Sequence, residues 1–176
     1  MILRERVERV FAHRTIPAEV VDMAELLQLD DDVEDAIWFT GRDWRDITWA
    51  DWKEHYCSFY FFAPGAFAYY LPSILLLSAQ NPNEDLLVAD SLISQLDRTP
   101  NPEWWEETFV NRFFELNIEE LALLKEWLVE LCKHTTYMGV GISGSGPGDR
   151  FGRAYDTVNF IQQETKRRMN RIEDAH

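Results

Sequence analysis

Near the start of the chain Leu3, Val7, Val10 and Phe11 recur at i, i+4, i+7 and i+8 with Arg and Glu between them, which predicts one apolar stripe on a helix over residues 3–13. Thr15-Ile16-Pro17 ends it, because the residue before a proline is pushed out of the helical region. Residues 19–29 fit neither the helical nor the strand period and stay open between a short helix and irregular structure. Asp30-Asp31-Asp32 supplies a cap and favourable negative charge for a helix over about 32–39 that stops at Gly41. Thr48 with Asp51 is a capping arrangement for a short helix from Trp49 to about Cys57, with Trp49, Trp52 and Tyr56 on one face.

Pro64 sits at a first helical position and opens the apolar segment PGAFAYYLPSILLLSAQ, the expected central core helix, interrupted or restarted at Pro72. Asn83 is the expected cap of a helix from Glu84 to about Leu96 with Leu86, Leu87, Ile93 and Leu96 inward, closed by Thr99-Pro100-Asn101-Pro102. In EWWEETFVNRFFEL, strand-forming rings stand at nearly helical spacing, so a helix is favoured over an extended segment. Asn117 with Glu120 opens the clearest helix, Ile118 to Lys133, with Leu121, Leu124, Leu128 and Leu131 as its core stripe. Six of the eight glycines gather between Met138 and Gly152, which predicts a loop. A last helix is expected from about Arg153 to Arg171, with Tyr155, Val158 and Ile161 or Gln162 inward. The pattern predicts a mainly α, compact single-domain helical bundle of about six to seven helices spanning residues 1–176, with at most a short extended segment and no internal repeat.

Composition agrees with that size. At 176 residues, 46% hydrophobic and 14% aromatic, the chain can bury a core without disulfides or a structural metal. Two cysteines, Cys57 and Cys132, are too sparse for a disulfide framework and fit a reducing compartment. No signal-peptide pattern opens the chain, and its longest apolar runs fall short of the roughly 20 residues of a membrane span. A cytoplasmic location is the default expectation.

Charge adds the most. The net charge is −14, and residues 15–54 carry twelve acidic against three basic side chains. That sign repels nucleic-acid backbones and anionic lipid and attracts basic proteins or cations. Asp30, Asp31, Asp32, Glu34 and Asp35 lack the glycine-turned loop of an EF-hand; a solvated helix start explains them, and a contact for a basic protein is the best functional alternative.

Other motifs weigh less. Gly139, Gly141 and Gly144 satisfy a G-x-G-x-x-G spacing, but no strand precedes them and one helix follows, so a linker explains them better than a dinucleotide site. His55-x-Cys57 and Cys132-x-His134 invite a zinc site, yet i and i+2 on a helix point about 200° apart. Ser143 and Ser145 lie in no nucleophile-elbow context, and nothing in the chain supports a catalytic centre, a cofactor or a metal. Trp104 and Trp105 project about 100° apart on a helix, so one is expected to be left partly exposed.

The run Phe39-Thr-Gly41-Arg-Asp-Trp44-Arg-Asp-Ile47, followed by Pro64-Gly-Ala66-Phe67-Ala-Tyr69-Tyr70-Leu71-Pro72, resembles a bacterial family known only as a domain of unknown function. Its members pair a Gly-x-x-Trp segment with a Phe-x-Tyr-Tyr-Leu-Pro helix. The likeness is best over about residues 31–80 and looser to Lys133. It implies a fold-level relationship and a bacterial origin, with no activity to carry over, and with Tyr69, Tyr70 and Pro72 as architecture.

The leading functional expectation is a non-enzymatic interaction module, most concretely an immunity-type inhibitor of a basic toxin or nuclease. Asp30, Asp31, Asp32, Glu34, Asp35, Asp43, Asp46 and Trp104 are its candidate partner-binding residues. The rival is a small enzyme or anion or nucleotide binder using the Gly139–Gly152 loop through Gly141, Ser143, Ser145, Arg150 and Arg153. No direct nucleic-acid or membrane contact is expected, and the oligomeric state stays open.

Overall fold

A computed structural model of the chain describes residues 4–21, 31–84, 86–134 and 147–173. Among these residues the order is α1 (Arg4–Val10), α2 (Asp31–Ile37), α3 (Trp49–Glu54), a 3-10 turn (Tyr56–Tyr60), α4 (Pro64–Gln80), α5 (Leu87–Leu96), a second 3-10 turn (Pro102–Trp104), α6 (Glu107–Phe113), α7 (Ile118–Leu131) and α8 (Pro147–Glu173). The protein is a mainly α-helical, single-domain bundle; among the described residues the only β-type pairing is an isolated antiparallel bridge between Val21 and Phe62.

Helix α4 is the centre because it is apolar all round: thirteen of its seventeen residues are buried, as a helix without a polar face must be. Pro72 does not interrupt it. Packing on every side outweighs the one missing backbone donor, and α1, α5, α6 and α7 all lie against it. Two indoles in this core are matched to serines of α4. The Trp52 indole donates to Ser73 Oγ at 2.9 Å and the Trp127 indole to Ser78 Oγ at 2.9 Å, while each serine donates to a carbonyl of α4 itself, Tyr70 O and Ile74 O. Two helices are thereby pinned to α4 by directional bonds that Leu or Phe could not make.

Both capping arrangements form. Thr48 accepts from the Asp51 amide while Asp51 accepts from the Thr48 amide, and Asn117 and Glu120 do the same at α7. The Glu120 side chain, fully buried, also takes the Arg14 guanidinium at 2.7 and 2.8 Å, tying the segment after α1 to the start of α7.

Several boundaries differ from expectation. Helix α3 ends at Glu54 and gives way to the 3-10 turn, so Tyr56 leaves the Trp52 face and is exposed. Helix α5 begins at Leu87 rather than at Glu84, with Leu86 buried at its cap and Leu87 turned outward, because burial of Leu86 and Val88 sets the phase. The aromatic stretch divides into a 3-10 turn and α6 instead of one helix or strand: Pro102 starts the turn, the Trp105 indole donates to Thr99 O at 2.9 Å, and its ring packs on Phe109 and Phe160. Trp104 is the ring left out, 73% exposed.

Helix α8 starts at Pro147, six residues before expectation, so Gly152 is helical and not part of a loop. Buried Phe151 and Ala154 and two ion pairs to α5 hold that first turn, outweighing its glycines. Val158, Ile161 and Gln162 face inward as expected, but Tyr155 lies at the surface. The predicted glycines and serines between 135 and 146 lie outside the described residues.

Candidate functional site

Asp35 and Trp38 stand one turn apart across the end of α2. Asp35 Oδ1 lies 3.0 Å from His55 Nδ1, and the buried His55 ring stacks on the Trp38 indole, centroids 4.4 Å apart and planes 25° apart. Past α2 the chain must reverse. Gly41 takes φ +73°, a left-handed conformation that a side chain would strain although no neighbour would meet it. The reversal brings Arg42 back over Trp38, its guanidinium 3.7 Å from the ring centroid and its Nε donating to Trp38 O at 2.8 Å.

Helix α4 locks this turn. The Tyr70 hydroxyl donates to Phe39 O and to Arg42 O, the latter at 3.0 Å, so one buried phenol holds both ends of the reversal. Burial is the main cause that pushes the Tyr70 hydroxyl well above the ordinary tyrosine range, and burial followed by the negative charge of Asp43 raises Tyr69 too. Gly41, Trp44, Tyr69 and Tyr70 are therefore one structural assembly: Trp44 is buried at 1% exposure behind the turn that Tyr70 fastens.

In front of that assembly lies a depression of about 310 Å³ lined by Trp38, Gly41 and Arg42 and by Asp43, Asp46 and Asp51. Its carboxylates differ in freedom. Asp51 is committed to Thr48, whose amide and hydroxyl both donate to it at 2.7 Å. Asp43 accepts from the Arg45 amide at 2.9 Å and pairs with its guanidinium at 3.1 Å. Asp46 is exposed and has no side-chain partner among the described residues. Glu34, exposed, shares the Trp38 face of α2 at i, i+4. Around Trp38 stand five carboxylates, Glu34, Asp35, Asp43, Asp46 and Asp51, against the guanidiniums of Arg42 and Arg45.

The structure thus brings Asp43 and Asp46 to one depression beside Trp38, while Asp35 meets the His55 ring that stacks on Trp38. Asp31 and Asp32 begin α2, their side chains outside the description, and Asp30 lies outside the described residues. Trp104 is carried by a different part of the chain, the 3-10 turn before α6. Sequence reasoning missed Trp38 and Arg42, and weighed His55 only as a zinc ligand beside Cys57. The signal for the first two was the i, i+4 spacing of Trp38 and Arg42 across a glycine; the contact of His55 with Asp35, twenty residues away, left no local trace.

The loop-based alternative is altered at its cationic end. Arg150 pairs with Asp90 at 2.8 Å and also donates to Asp90 O at 2.7 Å, while Arg153 embraces both oxygens of Asp97, so both arginines join α8 to α5 instead of facing an anion in a loop. Gly141, Ser143 and Ser145 lie outside the described residues. Cys57 and Cys132 are free thiols; Cys132 Sγ donates to Val129 O at 3.1 Å. Among the described residues no group of three or more His, Cys, Asp or Glu side chains is close enough to hold a metal, and no helix is long and apolar enough to cross a membrane. Two wider depressions, about 520 and 420 Å³, adjoin between α7 and α8 and share Val129 and Tyr155; Gly152, the end of the predicted Gly139–Gly152 loop, lines the second, while Arg150 and Arg153 line neither. No family model, no curated protein and no solved structure matches the chain.

Proposed function

We propose that this protein is an acidic, non-enzymatic interaction module whose Trp38 face receives a basic protein, in the manner of an immunity protein that blocks a basic toxin or nuclease. The observation that carries the reading is the convergence of Asp43, Asp46 and Asp51 on one depression beside Trp38, with Asp46 exposed and without a side-chain partner among the described residues. An exposed carboxylate is suited to a Lys or Arg side chain, which gains charge attraction there, while the Trp38 ring, stacked on His55 and covered by Arg42, forms the wall of the depression. The net charge of −14 supports fast, steered encounter with such a partner and disfavours nucleic-acid phosphates and anionic lipid. Trp104 offers a second, apolar anchor of the type that dominates contact energies. A reducing, cytoplasmic setting fits the two free thiols.

The rival, a small enzyme or anion or nucleotide binder built on Gly139–Gly152, draws less support, since Arg150 and Arg153 already have carboxylate partners. A thermal-shift series with nucleotides and phosphate tests it directly: a large stabilisation by one of them favours the rival.

The test of the main reading uses the protein as bait in an extract of its own host, beside the Asp43→Lys/Asp46→Lys double variant. The wild type retains a basic protein at low ionic strength, and the variant weakens that retention by more than about tenfold, because like charges facing across an interface cost several kcal/mol. Equal retention by both baits, or retention of no basic protein, contradicts the reading.

A further inference from the structure

We propose that the groove between α7 and α8 binds a monocarboxylate with an apolar tail, its carboxylate on the Lys125 ammonium and its tail along Val129 and Tyr155 toward Phe151. The groove consists of the two adjoining depressions of about 520 and 420 Å³, each within the roughly 300–1,000 Å³ of small-molecule sites. It shares no lining residue with the Trp38 depression and is independent of the docking face there.

Lys125 is the starting point. It stands half-buried on α7, and its Nζ donates to Gln162 Oε1 at 2.7 Å and to Asn159 Oδ1 at 3.2 Å. Gln162 is fixed in turn, its Nε2 donating to Ile118 O at 2.9 Å, and the Tyr155 ring centroid lies 5.5 Å from the ammonium. Both acceptors are neutral amides, so they hold the positive charge in place without neutralising it, and they take two of the three donors of an ammonium. The carboxylates beside it are engaged elsewhere. Glu126 has both oxygens on the Arg6 guanidinium, and Glu130 takes Lys133 at 2.8 Å. Among the described residues lining the first depression, Lys125 is the one charge with no opposite charge in contact.

Beyond Lys125 the groove turns apolar. Ala122, Lys125, Val129 and Cys132 follow one another on one face of α7, opposite Phe151, Gly152 and Tyr155 of α8. From Lys125 to Cys132 that face runs about 10 Å by helical rise, which suits a medium-length alkyl chain better than a compact anion. Val129 and Tyr155, shared by both depressions, leave 47% and 37% of their surface in water, apolar area that such a chain covers. Asp156 lines the far depression and puts a negative charge there, so the tail ends neutral and a dicarboxylate is disfavoured. The net charge of −14 likewise selects for a monoanion over a phosphate dianion.

NMR titration of the full chain with octanoate, beside butyrate, octylammonium and inorganic phosphate at matched ionic strength, tests the site. Octanoate is expected to bind saturably and to move the amide signals of Val129 and Tyr155. Butyrate binds at least about tenfold more weakly, since each buried methylene is worth roughly a fourfold gain. Octylammonium, with the same tail and the opposite charge, binds more weakly than octanoate, as does phosphate. Lys125→Met keeps the apolar stem and loses the charge, and it weakens octanoate by about tenfold or more, the scale of a lost charge-assisted hydrogen bond. Val129→Asp, at an exposed position, sets a negative charge where the two depressions meet and abolishes octanoate binding, which keeps the test readable if Lys125→Met fails to fold. Absence of saturable octanoate binding, butyrate or octylammonium as tight as octanoate, or octanoate binding unchanged by either folded variant overturns the proposal.

Discussion

A single phenol, that of Tyr70, closes the turn on which the acidic face is built. Its ring is packed against the Phe39, Phe62 and Tyr69 rings, and its hydroxyl bonds go to the Phe39 and Arg42 carbonyls. Tyr70→Phe takes the hydroxyl donor from the Arg42 carbonyl, the Phe39 carbonyl keeping the Arg42 amide at 3.0 Å, and is expected to cost about 1–3 kcal/mol in urea unfolding at neutral pH. The same residue sets a pH dependence. Tyr70 and Tyr69 bind their protons more tightly folded than unfolded, so stability is flat below the ordinary tyrosine value and falls as pH rises above about 10, where the unfolded chain ionises first. Unfolding midpoints between neutral and strongly alkaline pH should show a shallower alkaline decline for Tyr70→Phe than for the wild type. At this scale the sequence was readable where the clue was local. Trp104 and Trp105 project about 100° apart on a helix, so one was expected to be left partly exposed, and Trp104 is that one. Tyr155 and Leu87 were misassigned as inward because a helical period fixes a stripe only to within about one residue, and packing neighbours decide its edge.

Helix ends follow the same division. The two capping boxes were legible because a cap is chemistry between residues three apart, Thr48 with Asp51 and Asn117 with Glu120. The unbroken passage of α4 through Pro72 was not, since only surroundings contributed by four other helices outweigh the proline, and those are distant in sequence. Nor was the early start of α8, which rests on Asp90 and Asp97 some sixty residues before it. Glu120 joins the two kinds of information, being both a local cap and the buried partner of Arg14. The carboxylate holds the Arg14 pKa above its ordinary value through hydrogen bonding, so the guanidinium stays charged. Glu120→Ala removes that carboxylate and uncaps α7, leaving Arg14 to the carboxylate and carbonyl of Glu115; it is expected to cost about 3 kcal/mol in chemical denaturation, the scale of a lost charged hydrogen bond together with a lost cap. Asn117→Ala, which removes only the cap, should cost about 1 kcal/mol.

For the whole molecule, the excess of acid in residues 15–54 was plain in the sequence, and so was a helical bundle of this size. The shape of the acidic face was not. It depends on a left-handed glycine, on Arg42 folding over Trp38 and on His55 arriving from beyond α3 to meet Asp35. Composition predicts the sign of the potential, and only the fold gathers Asp35, Asp43 and Asp46 around an aromatic ring. The most direct test is the association rate of the protein with the basic partner it captures, followed by stopped flow across a range of ionic strength. The wild-type rate should fall steeply with added salt, from a steered value on the order of 10⁸ M⁻¹s⁻¹ at low salt, while Asp43→Lys/Asp46→Lys associates more slowly and with a flatter salt dependence. A wild-type rate indifferent to salt, or a double variant that matches it at every ionic strength, would contradict an electrostatic docking face at Trp38.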